Sequence, residues 1–289
     1  MQITYEPLSS LTFEAAHALF NRAFEGYLVP MHLTLDAFIS RFGQHGLSPE
    51  VSIAAFDGDV PVGIVLQGIR ETGGRVISWN GGTGIVPEYR GRKLGQPLME
   101  AAEMLLTDRN VGVATLESIS GNEAAIALYE RCGYRITDRL QFLQADGILM
   151  NTLPELGDAE IVRIPAARLA GSSLFPAVGP LQTDPSDIAR ARGEAVLLLK
   201  NGKAAAACLV RKDGVFGEPA KSITLYQGVH PDGEDALRLL LPHTLEYDTA
   251  VMRKTYNFPN GDGAAADRLI RDGFERQPLS QVFMVKELS

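Results

Sequence analysis

The stretch "VPEYRGRKLGQPLMEAAEMLL", Val86 to Leu106, crowds three cations (Arg90, Arg92, Lys93) and two glycines (Gly91, Gly95) into the residues just before a helical pattern begins. From Leu94 the apolar positions Leu94, Leu98, Ala101, Ala102 and Leu105 define one helix face, with Pro97 tolerated in the first turn. A helix N-terminus carries unpaired N–H groups and the positive end of the helix dipole. Glycines beside it let backbone approach a ligand closely. The stretch therefore reads either as a site for a phosphate or pyrophosphate or as the charged face of a solvated turn.

Outward from this point the chain alternates strands and helices. Upstream, "VSIAAFDGDVPVGIVLQGIR" is a hairpin turning at Asp57, Gly58 and Asp59, and "GGRVISWNGGTGIV" adds a third strand that runs into the basic loop. Before the hairpin, "FEAAHALFNRAF" and "LTLDAFISRF" carry apolar residues at helical spacing and predict two short amphipathic helices after a first strand. Downstream, the strand "VATLESIS" leads to "GNEAAIALYERCGY". There Asn122 is suited to cap a helix, Ala125, Leu128, Tyr129 and Cys132 fall on one face, and Gly133 ends it. This order predicts an α/β unit with a parallel strand pair at the ligand edge.

Composition narrows the partners. The 289 residues predict two domains. The net charge of −8 argues against a nucleic-acid partner, so a basic loop on an acidic protein suggests a small anionic ligand. Cys132 and Cys208 supply neither a disulfide framework nor a metal motif, and no metal is expected. The start "MQITYEPLSSLTFEAAHALF" does not read as a signal peptide, and no run approaches the length of a membrane span, so a cytoplasmic protein with no membrane partner is expected. Monomer and homodimer both stay open.

Val86 to Gly95, with the later "NEAAIALYERCGY", resembles the GNAT superfamily of acyl-CoA-dependent N-acyltransferases. That family carries Arg/Gln-x-x-Gly-x-Gly/Ala before its third helix and Asn-x-x-Ala-x-x-Leu-Tyr-x-x-x-Gly-Phe/Tyr downstream. The second block is complete here, in Asn122, Ala125, Leu128, Tyr129, Gly133 and Tyr134. The first departs once, where Lys93 replaces the first motif glycine between Arg90 and Gly95.

The resemblance implies acetyl-CoA as co-substrate. Gly84, Ile85 and Val86 would line its pantetheine arm, and the loop Arg90, Gly91, Arg92, Lys93, Leu94, Gly95 and Gln96 its pyrophosphate, with Asn122 and Ala125 of the second block close by. It makes Tyr129 the general acid; the residue alone, outside the complete block, reads as a core aromatic. Glu117, on the strand "TLESIS", is the candidate base or a structural carboxylate. Tyr27 and His32, on the segment that often covers the acceptor, and Trp79 and Asn80, on a strand where some relatives carry an acidic base, are the acceptor-side candidates.

The pattern then repeats. "EAVLLLKNGKAAAACLVRKD" echoes the first hairpin, with its turn at Asn201 and Gly202. "SITLYQGVHPDGEDALRLLL" echoes the strand, loop and helix around Arg90, and "DGAAADRLIRDGF" echoes the second block. His230 lies 144 positions after Val86, and Gly273 140 after Gly133. On those offsets Glu234 takes the place of Arg90, Leu269 that of Tyr129 and Asp262 that of Asn122. The expected architecture is α/β (α+β), with two tandem GNAT-like domains, each a mixed central sheet flanked by helices. Residues 1–153 form the catalytic domain and 154–289 a degenerate copy; two unrelated α/β domains are the alternative.

The expected function is N-acetyl transfer from acetyl-CoA to a primary amine of a small molecule by direct attack in a ternary complex. A peptide, protein or amino-sugar N-acyltransferase and a non-catalytic acyl-CoA sensor stand as alternatives.

Overall fold

The computed structural model describes residues 2–214, 220–261 and 263–288. The chain divides into two compact units, residues 1–137 with 284–289, and residues 138–283. The boundary expected after Leu153 thus lies inside the second unit, and the C-terminal six residues belong with the first.

Unit 1 runs β1 (Ile3–Pro7), α1 (Phe13–Ala23), α2 (Leu35–His45), β2 (Ile53–Asp57), β3 (Val60–Thr72), β4 (Arg75–Ile85), α3 (Gly95–Thr107), β5 (Val113–Ile119) and α4 (Glu123–Arg131). β1 to β4 form an antiparallel meander, and β4 pairs with β5 in parallel. α1 and α2 each start where a threonine hydroxyl accepts a backbone N–H, Thr12 from Ala15 and Thr34 from Ala37, each at 3.2 Å. They bury a cluster of rings in which Phe20 meets Phe24 and Phe38, and Phe38 meets Phe42. α1 and α3 pack on opposite faces of the sheet. A side chain at Gly84 would meet Ala23 of α1, whereas one at Gly63, on the alternate face, would meet Leu98 of α3. α3 buries Leu98, Met99, Ala102 and Leu106. Its inward face is therefore rotated from the predicted one, because Met99 reaches into the sheet beside Asn80 and Thr83.

Unit 2 begins in β6 (Arg135–Ala145) and continues through β7 (Ala159–Pro165), α5 (Pro185–Arg190), β8 (Glu194–Lys200), β9 (Lys203–Asp213), β10 (Ser222–Val229), α6 (Glu234–Thr244), β11 (Met252–Thr255), β12 (Phe258–Pro259), α7 (Ala264–Arg271) and β13 (Glu275–Glu287). Its sheet order is β7-β8-β9-β10-β11-β6, with β10 parallel to β11 and β12 also on β6. The hairpin β8–β9 turns at Asn201 and Gly202 as the sequence predicts. At the centre of this unit Arg253 is fully buried, its guanidinium donating to the carbonyls of Leu245, Gly147, Val251, Glu246 and Thr249. The last residues of β13 leave unit 2 and lie beside β5 in unit 1.

Among the described residues no helix is long and apolar enough to cross a membrane, and no group of three or more His, Cys, Asp or Glu side chains is placed to hold a metal. Cys132 and Cys208 are buried free thiols.

Candidate active site

The site of unit 1 is built on a parting of two strands. β4 and β5 pair from Ile77 and Val113 as far as Asn80 and Leu116, and there the ladder stops although both strands continue. The cause is a bulge. Leu66 of β3 opposes Gly82 and Gln67 opposes Asn80, so Gly81 is an extra residue that bends β4 away from β5. Only glycine fits, because a Cβ at Gly81 would lie 2.8 Å from Leu47 and 2.9 Å from the Trp79 ring. Arg41 of α2 secures the bend by donating to the Gly81 carbonyl at 2.8 Å.

Beyond the bulge, β4 stays paired with β3. Val86 N–H donates to Val62 O, so by antiparallel alternation Gly84 and Val86 turn their backbone groups to β3, and Thr83 and Ile85 turn theirs toward the gap. Of the expected trio Gly84, Ile85 and Val86, Ile85 is the residue whose N–H faces the opening. Thr83, which the sequence reading missed, joins it.

The loop after β4 separates its cations by role. Arg90 is a clamp: its guanidinium donates to the carbonyls of Ile85 (3.0 Å), Ala23 (3.1 Å) and Glu25 (2.7 Å), and its N–H donates to Pro87 O. Arg22 adds a second tie by pairing with both Glu25 and Glu88. The end of α1 is thereby fixed to the start of the loop. Arg92, over the Tyr89 ring at 4.6 Å, and Lys93 are exposed just ahead of α3. α3 has neither a side-chain cap nor an acidic residue in its first turn, so its N-terminal N–H groups and dipole face these cations unopposed. Lys93, in place of the motif glycine, still adopts the left-handed backbone that glycine prefers, with φ of 60°. Gly95 is needed for closeness, since a Cβ there would lie 2.8 Å from Leu128 of α4.

α4 starts at Asn122, whose Oδ1 accepts the Ala125 N–H at 3.3 Å. These two expected cofactor residues thus form the helix cap. About two turns later Tyr129 is buried, its hydroxyl sharing a hydrogen bond with Thr83. Burial pushes its phenol up to about 12; the Thr83 hydrogen bond acts the other way, and nearby Tyr27 adds to the rise. Tyr129 therefore stays protonated, with its hydroxyl at Thr83 of β4, throughout the neutral range.

On β5, Glu117 is the first residue past the last paired position and accepts the Trp79 indole N–H at 2.5 Å. Trp79 and Asn80, expected on the acceptor side, are both buried and brace the site. Trp79 holds Glu117. Asn80 donates to Thr83 at 2.8 Å and accepts the Gly82 N–H at 2.9 Å, which fixes the bulge. Tyr27 and His32 do come together, in a cavity of about 400 Å³ shared with Asn21, Phe24, Val29, Pro30 and Met31. Asn21 holds its rim by exchanging two hydrogen bonds with the backbone of Leu33, at 2.9 and 3.0 Å.

Residues 13–134 match the model of the Acetyltransferase (GNAT) family. The match lies wholly within unit 1. No curated protein matches the sequence. Among solved structures the whole chain is similar to a tandem GNAT protein from the clavulanic acid biosynthesis pathway, at 16% identity and TM-score 0.60, covering 99% of this chain and 98% of that one. It is also similar to a putative acetyltransferase from Pyrococcus horikoshii (15%, TM-score 0.57, covering 100% and 89%) and a GCN5-related N-acetyltransferase from Anabaena variabilis (10%, TM-score 0.64, covering 100% and 73%). At these identities the likeness is one of fold, and it extends through both units.

Unit 2 keeps the same frame as unit 1. β10 ends 144 positions after β4, at Val229 against Ile85, and the same bulge recurs with Tyr226 as the extra residue. α7 ends as α4 does, with Phe274 N–H donating to Leu269 O and Gly273 at φ 103°, as Tyr134 donates to Tyr129 O and Gly133 sits at φ 89°. The loop corrects one expectation. α6 starts at Glu234 and α3 at Gly95, so Glu234 corresponds to Gly95 rather than Arg90. Where unit 1 has nine residues between strand and helix, 86–94, unit 2 has four, 230–233, and none of the four is Arg or Lys. Asp262 lies outside the described residues.

Proposed function

We propose that the chain transfers an acetyl group from acetyl-CoA to a primary amine of a small molecule, by direct attack in a ternary complex in unit 1. The observation that carries this is the placement of Tyr129: a protonated phenol bonded to Thr83, at the gap between β4 and β5. The gap fits the co-substrate. The uncapped α3 start with Arg92 and Lys93 suits a pyrophosphate, and the in-plane groups of Thr83 and Ile85 suit an amide-bearing arm laid along β4.

Acyl transfer then asks little of the protein. The amine nitrogen attacks the thioester carbonyl carbon; the C–N bond forms and the C–S bond breaks. Charge gathering on the carbonyl oxygen is met by a backbone donor such as Ile85 N–H. Tyr129 gives its proton to the departing sulfur, and the proton lost by the amine passes to Glu117, directly or through water. Trp79, by holding one Glu117 oxygen, fixes the direction in which the carboxylate accepts. The acceptor enters beside Tyr27 and His32, and the apolar walls Phe24, Val29, Pro30 and Met31 favour an amine with an apolar body. Unit 2 serves as a structural partner without a co-substrate site of its own.

The test is thiol release from acetyl-CoA by the full chain against a panel of amines. Acceleration by a subset of primary amines is expected. Silence across the panel together with tight CoA binding would overturn the enzyme reading in favour of a sensor.

A further inference from the structure

Tyr129 does not stand alone in unit 1. Its ring meets Tyr134 edge-on, with centroids 6.1 Å apart, and Tyr134 closes α4 by donating its N–H to Tyr129 O at 3.0 Å. On its other side Tyr134 lies under the ammonium of Lys286, 6.0 Å from the ring centroid. Lys286 comes from the far end of the sequence, on the part of β13 that belongs to unit 1.

The same ammonium pairs with Glu103 of α3 at 2.5 Å, and the two side chains are only 22% and 14% exposed. A pair so shielded is not a surface decoration, because removing one partner leaves a charge largely cut off from water. The other Glu103 oxygen is buried without a hydrogen-bond partner, so Lys286 carries much of that carboxylate's compensation. Burial raises the Glu103 carboxyl, and Lys286 opposes that rise. The lysine stem lies along α4's final turn, its Cε 3.4 Å from where a Cβ of Gly133 would be.

Two neighbours hold the strand in register. Glu287 accepts both hydrogen bonds offered by Arg75, at 2.8 and 3.0 Å, and Leu288 N–H donates to Gly112 O at 2.9 Å. Lys286 is thus delivered to the back of the tyrosine pair by two independent contacts, one on each of the next two residues.

We propose that Lys286 is a positioning residue for Tyr129. Acting through Glu103 of α3 and the ring of Tyr134, it holds the end of α4 where the Tyr129 hydroxyl meets Thr83. The proposal rests on Tyr129 being the general acid, and the experiment separates the two ideas.

Lys286→Met and Lys286→Arg are compared in the full chain, each in the native and the Tyr129→Phe background, by kcat, KM for acetyl-CoA and melting temperature. Misplacement of a catalytic group by an ångström costs up to about 10²-fold, so Lys286→Met should lower kcat roughly tenfold with KM nearly unchanged. Lys286→Arg should restore most of it. In the Tyr129→Phe background Lys286→Met should cost nothing further, because the group it positions is already missing.

A loss that multiplies with that of Tyr129→Phe, or a native kcat in Lys286→Met, overturns the positioning role and leaves the acid in place. A fully active Tyr129→Phe chain removes the acid assignment and the proposal with it. Should Lys286→Met fail to fold, Glu103→Gln/Lys286→Met removes both charges together. A kcat loss is expected there too, and a native kcat overturns the proposal.

Discussion

The gap at the end of β4 and its counterpart at the end of β10 are one frame filled in two ways. In unit 1 the bulge residue is Gly81, and behind it the strand edge is open, with Tyr129 bonded to Thr83 and a nine-residue basic loop leading into a helix free of acidic residues in its first turn. In unit 2 the bulge residue is Tyr226, buried against Ala166, Phe175 and Ile188, the loop is four residues long, and α6 opens with Glu234 and Asp235. Leu269, in place of Tyr129, is wholly buried in the apolar core. The difference teaches that the frame and the chemistry are separable. Strand order, bulge and helix ends persist when the donor, the cations and the opening have all been replaced.

The comparison breaks first at Tyr129. Tyr129→Phe keeps the ring and removes the proton donor, so turnover should fall by about 10²- to 10⁴-fold while melting temperature and CoA affinity survive. Steady-state rates and a thermal melt check this, and a nearly silent Phe variant would make Tyr129 as structural as Leu269. The pH profile sharpens the point. The active form is the protonated phenol, lost as pH rises through its folded-state pKa, and burial pushes that value up to about 12. No alkaline limb from Tyr129 should therefore appear near the ordinary tyrosine value of about 10.

A second break concerns ligand count. Titration calorimetry should give one CoA per chain, since α6 offers two carboxylates where α3 offers none. Gly95→Val should weaken that single site about tenfold, roughly 1.4 kcal/mol, by forcing Leu128 and α4 away from the helix start. Two equivalents bound, or an unmoved affinity in Gly95→Val, would show that the two units differ less than their loops.

The smallest effect is at Lys93. A lysine at φ 60° stores about 1 kcal/mol that glycine does not, so Lys93→Gly should raise the melting temperature by a few degrees or less. CoA binding should loosen slightly through the lost charge. A lower melting temperature would mean that the lysine side chain stabilises the loop by more than its backbone costs.

The frame of both units was legible in the sequence because turns and caps are local. Asp57–Gly58–Asp59, Asn201–Gly202, Asn122 and Gly133 all act within a few residues of where they stand. Periodicity placed Tyr129 on a helix, Glu117 on a strand and the α3 start after the basic loop, whereas the role of Tyr129 came from the resemblance to the GNAT family. What stayed hidden is set by partners distant along the chain. Nothing near Arg90 announces that its guanidinium is spent on the carbonyls of Ala23 and Glu25, and nothing near Trp79 announces its bond to Glu117. Thr83 was missed because its importance comes from a strand bulge, which a sequence shows only as neighbouring glycines. The correspondence of Glu234 failed because a fixed offset cannot detect a difference in loop length.

The terminal strand has a consequence for the order of assembly. Lys286 reaches Glu103 across 183 positions and Glu287 reaches Arg75 across 212, so the contacts that complete the first unit are among the most remote in the chain. Domains ordinarily fold in turn as they leave the ribosome, the N-terminal one first, and pairings between distant residues slow the search for the native state. Here the first unit must wait, missing a strand, until the second has been made. Chains interrupted anywhere within unit 2 would release unit 1 with an unpaired edge at β5, and such edges invite association with other chains.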